Sequence, residues 1–121
     1  MSAAAWIAVG LLGGIAAGAR FVLDAEVTLH RGSRFPLGIL AVNLLGALAL
    51  GIVAGSGLDG EGYTIVAGGV IGSFTTFSTW ILDSHRLAAS GAERLAALNI
   101  GLSLLAGFAA VTLGHWLGSA L

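Results

Sequence analysis

The stretch GGVIGSFTTFSTW, residues 68–80, packs five hydroxyls into seven positions: Ser73, Thr75, Thr76, Ser78 and Thr79. Three aromatics interleave with them at every third residue, Phe74, Phe77 and Trp80. In an apolar setting each hydroxyl needs a partner, either its own helix turn, a neighbouring helix or an ion. Gly68, Gly69 and Gly72 precede the cluster and weaken helix propensity, and threonine adds little to it. A broken helix is the expectation, and the alternative is a kinked helix whose hydroxyls hold its neighbours. Backbone freed at such a break can coordinate a small cation. The aromatic stripe suits packing, and beside hydroxyls it has a second use. Ring edges are positive, so edges turned into a narrow path favour an anion.

Other polar residues stand alone among apolar ones. Asn43 lies in AVNLLGALALG, where its amide can bond a neighbouring helix or donate N–H to a bare anion. Arg20 lies just inside the end of an apolar run, placed either to snorkel to the interface or to act as an intramembrane cation. Asn99 and Ser103 repeat the theme in the last run. His30, His85 and His115 fall at or near the ends of runs and read as surface or interfacial. No metal-ligand spacing, nucleophile triad, phosphate loop or carboxylate pair is present, so no catalytic machinery is in view.

The elements that must position these residues are membrane helices. The chain is 57% hydrophobic and 9% charged with a mean hydropathy of +0.99, against roughly 25% charged residues in soluble domains. The formal net charge of −1 suggests no nucleic-acid surface. Apolar runs of spanning length cover residues 2–23, 36–55, 62–82 and 94–118, giving an all-α membrane protein with one four-helix domain and the third helix broken mid-membrane. Pro36 suits a first helical turn. Polar loops are expected at 24–34, 56–61 and 83–93. Glycines four apart, Gly10/Gly14/Gly18, Gly51/Gly55 and Gly114/Gly118, suit close helix packing. Arg31 and Arg34 lie in the first loop, and Arg86 and Arg94 in or beside the third. The positive-inside rule makes that side cytoplasmic and places both termini outside.

With these residues in place, the chain resembles the fluoride channel family called Fluc or CrcB over essentially its whole length. GSFTTFSTW looks like the family's GxTTFSTF on the third helix, VNLLG resembles the second-helix asparagine motif, and GARF around Arg20 and Ser103 also fit. The resemblance implies an antiparallel, dual-topology dimer with two fluoride pores in the cell inner membrane. It implies a structural sodium ion at the dimer interface, held by main-chain carbonyls of Gly72 and Thr75. Asn43, Ser78, Thr79 and Ser103 would belong to the fluoride path, with Phe77 and Trp80 as the ring-edge pair. Trp80 replaces the family's second phenylalanine, and Asp83 stands where many members have glutamate. A passive channel would let cytoplasmic fluoride escape. The arginine bias and Trp80 raise a second expectation, a subunit that pairs with an oppositely oriented paralogue instead of itself. A small proton-coupled multidrug exporter would need an acid deep in a span, and the spans as drawn hold none.

Overall fold

The computed structural model describes all 121 residues and is entirely helical. Helix α1 spans Ala3–Arg31 and α2 spans Leu37–Gly55. The third span is interrupted. Its first half, α3, covers residues 60–74 and is built from an α-turn Gly60–Tyr63, a π-helical stretch Thr64–Ile71 and a short α-turn Gly72–Phe74. Its second half, α4, is Ser78–Ala89, and α5 is Glu93–Ser119. All four spans are long and apolar enough to cross a membrane.

Two boundaries differ from expectation. The polar loop expected at 24–34 is helical as far as Arg31, and the one expected at 83–93 is helical as far as Ala89. A helix need not end where hydrocarbon does. Beyond residue 23 its polar side chains bond along their own helix, Thr28 Oγ1 to Asp24 and the His30 ring to the Glu26 carbonyl. Helix α1 stops only at Gly32, whose left-handed φ of 56° suits glycine and closes the last turn on the Thr28 carbonyl.

The tightest packing is a glycine seam. A Cβ on Gly51 or Gly55 would strike backbone of α5, and one on Gly114 or Gly118 would strike backbone of α2. Helix α1 lies on the third span, where Gly69 meets Val9 and Gly13 meets Ser73. At the opposite end from the arginines, Ser2 bonds Glu61 through both its N–H and its hydroxyl, tying the start of α1 to the start of α3. Buried residues number only 16 of 121, and large apolar side chains such as Leu105, Phe108 and Trp116 stand exposed along α5. That surface requires lipid or another protein against it.

Candidate functional site at the helix break

The expected break is present and falls at residues 75–77, three residues past Gly72. Gly72 keeps helical angles (φ −61°, ψ −34°), and its N–H reaches back five residues to the Ala67 carbonyl, closing the π-helical stretch. Thr75 turns extended (φ −82°, ψ 164°), a region that β-branched residues favour, while its N–H and hydroxyl both donate to the Ile71 carbonyl. Asn43 on α2 then takes the next residue. Its Oδ1 accepts from the Thr76 N–H and its Nδ2 donates to the Thr76 carbonyl, both at 2.9 Å. Thr76 Oγ1 in turn accepts from the Thr79 N–H, in the manner of an N-cap for α4. The amide of Asn43 thus satisfies both backbone groups of Thr76, two of those that the break leaves without helical partners.

What remains unpaired at the break is as informative. The carbonyl oxygens of Gly72 and Thr75 accept no hydrogen bond, and the Phe77 N–H donates none. These groups border an open groove of about 370 Å³, lined by Asn43, Gly72, Thr75, Thr76, Phe77, Trp80 and Ser103 with apolar neighbours from α2, α3 and α5. Ser103 Oγ is shielded from solvent and has no hydrogen-bond partner. Phe77 projects outward, 71% exposed, and meets Trp80 edge to face with ring centroids 5.5 Å apart. The indole N–H of Trp80 donates to the Asn99 carbonyl at 3.2 Å. Asn99 Nδ2 donates to Ser84 Oγ, which donates to the Trp80 carbonyl. This cycle locks α4 to α5.

Of the residues singled out in the sequence, Asn43, Gly72, Thr75, Phe77, Trp80 and Ser103 therefore meet around one groove. Ser78 and Thr79 do not line it; Ser78 is exposed and Thr79 half-buried on the first turn of α4. Arg20 lies apart on α1, half-buried, with its Nε shielded and unpaired. All three histidines are exposed. Sequence reasoning missed Ser84, which is 3% exposed, because a single serine in a polar-looking helix end carries no signal of its own. It also missed Gly46, where a Cβ would collide with the Thr75 methyl, so this glycine seats the break against α2.

Four apolar spans, the third of them interrupted, define a multi-pass membrane protein with polar groups gathered in a groove at the break. Residues 7–115 match the family described as CrcB-like protein, Camphor Resistance (CrcB). The chain is 39% identical over 117 residues to fluoride-specific ion channel FluC 2 of Mycobacterium tuberculosis strain H37Rv, covering 97% of this chain and 93% of the relative. It is 45% identical over 108 residues to FluC 2 of Symbiobacterium thermophilum, covering 85% and 88%. That organism also has a FluC 1, 38% identical over 120 residues, covering 93% and 96%. The chain belongs to the CrcB family of fluoride-specific ion channels and is not an enzyme.

Proposed function

We propose that this chain is a fluoride-selective passive channel through which cytoplasmic fluoride leaves the cell, with pores formed in an antiparallel dimer. The reading is carried by one observation: Ser103, whose hydroxyl is shielded and without a partner, is among the residues lining the same groove as Asn43, Phe77 and Trp80. Fluoride is small and strongly hydrated, so leaving water requires several donors that each bind weakly enough to release it. Asn43 keeps one Nδ2 hydrogen beyond its bond to Thr76. Ser103 adds a hydroxyl, and Phe77 and Trp80 add ring edges; Ser78 and Thr79, outside the groove on the first turn of α4, would belong to the path beyond it. Because the Trp80 N–H is held by Asn99, the indole takes part through its edge. Arg20 adds positive potential from α1.

The Gly72 and Thr75 carbonyls, hard oxygen donors with no partner in the chain, fit a sodium ion at the dimer interface. When bound, the ion would supply a fixed charge joining two copies at their breaks. The proposal includes an inner-membrane location, and the arginine positions support an orientation with both termini outside. Those positions and Trp80 favour a second form of the same reading, a subunit that conducts only beside an oppositely oriented paralogue. Fluoride efflux from liposomes holding this chain alone, with chloride as control, tests the proposal. Fast loss of fluoride and retention of chloride are expected. If folded protein gives no flux alone, co-reconstitution with a paralogue must restore it; no flux in both formats contradicts the proposal.

A further inference from the structure

A second cavity, of about 500 Å³, lies where α1 and α4 end, away from the helix break. Helix α1 contributes Asp24, Thr28 and Arg31 at spacings of four and three, one face of the helix. Helix α4 contributes Asp83, Arg86 and Ser90 at spacings of three and four, again one face. The α1–α2 connection adds Ser33 and Arg34, and Arg34 donates to Ser90 Oγ at 3.0 Å, strapping the first connection to the end of α4. Both helices run toward the same membrane side. Each therefore sets its aspartate deeper and its arginine about one to two turns, roughly 5–10 Å, nearer the rim.

Three of the five arginines thus share one rim. None lies within ion-pair distance of a carboxylate, since the chain's one such contact joins His30 to Glu26. Neither Arg31 nor Arg86 donates a side-chain hydrogen bond within the chain, so the rim holds charge and donors that nothing in the molecule satisfies. The space far exceeds what one fluoride needs. The acidic floor repels anions and confines one to the rim. Guanidinium forks match tetrahedral phosphate oxygens, and basic pockets between membrane helices at the cytoplasmic face suit lipid head groups.

We propose that this rim is a phosphate-binding site, formed by Arg31, Arg34 and Arg86 with the Ser33 hydroxyl, for a phosphate carried by an anionic lipid or free in solution. The site is independent of the fluoride path and stands whether or not that path conducts. The test measures binding to the full-length protein in detergent by native mass spectrometry, with phosphatidylglycerol, phosphatidylcholine and inorganic phosphate as separate probes. Phosphatidylglycerol is expected to bind at least tenfold tighter than phosphatidylcholine, and added salt to weaken it. Competition by inorganic phosphate identifies a soluble source; no competition identifies the lipid. The triple variant R31Q/R34Q/R86Q should lose the preference. The double variant R31Q/R86Q, at exposed positions without internal bonds, keeps the test valid if the triple does not fold, and should weaken binding at least fivefold. Equal binding of both lipids with no binding of inorganic phosphate, or an undiminished preference in the double variant, would overturn the proposal.

Discussion

Asn43 shows what one side chain contributes. A lone amide in an apolar run was legible as a functional signal, yet its partner was not, because a sequence cannot show which backbone will lack hydrogen bonds. The partner is Thr76, gripped at both its N–H and its carbonyl. Replacing Asn43 by alanine strands two backbone groups, at about 1–3 kcal/mol each where they are shielded. Asn43→Ala should therefore lower thermal stability and abolish flux together, and a variant of unchanged melting temperature would show that the clasp is dispensable. Trp80 teaches the converse. In the sequence the indole stands as a departure from the family's second phenylalanine; in the structure its N–H is tied to Asn99 and its ring still meets Phe77 in an edge-to-face contact. Trp80→Phe removes one hydrogen bond, worth about 1 kcal/mol, and keeps an aromatic edge at that position. Fluoride flux within about threefold of the parent is expected, and a tenfold loss would show that the indole itself is required.

The third span shows why its break was foreseeable but its register was not. Glycines at 68, 69 and 72 marked a weak helix, and the π-helical stretch Thr64–Ile71 absorbs that weakness without ending it. The chain leaves the helix only at Thr75, where β-branching, the Ile71 carbonyl and the Asn43 clasp act together. Two of those three causes come from other parts of the fold or the preceding turn. Glycine pairs four apart were similarly ambiguous. Gly51/Gly55 and Gly114/Gly118 form the α2–α5 seam, whereas Gly10, Gly14 and Gly18 meet nothing within 4 Å. Spacing alone does not say which glycines have a neighbour inside the chain. The contrast predicts that Gly114→Ala, whose methyl would strike α2 backbone, unfolds or markedly destabilises the protein in detergent. Gly101→Ala, with open space around it, should leave the melting temperature unchanged or raised. Similar destabilisation by both would contradict the seam.

As a whole molecule the chain buries few of its residues and leaves large apolar faces open. Its helices were readable from apolar run length, since a membrane imposes spanning length directly on sequence. Their ends were not, because α1 and α4 continue past the apolar run on polar residues that bond within their own turns. With so few residues buried and Phe77 exposed at the break, the proposed dimer would close the groove with a second protein surface. Four of the five arginines, Arg31, Arg34, Arg86 and Arg94, lie on one side. The paralogue-paired form of the proposal therefore expects a fixed orientation with the C-terminus outside. Reaction of a C-terminal tag cysteine with an impermeant thiol reagent in whole cells should label nearly all copies. Labelling of half would mean dual insertion and argue for a homodimer.

The most direct measurement bears on Ser103. Its hydroxyl is shielded and bonds nothing in the chain, so Ser103→Ala removes a donor that the fold does not use. Donation to an ion is worth roughly 1.5–3 kcal/mol, about a tenfold effect or more. Fluoride efflux from liposomes should fall at least tenfold in Ser103→Ala, with melting temperature and assembly unchanged. Undiminished flux in this variant would contradict the assignment of the groove as the fluoride path.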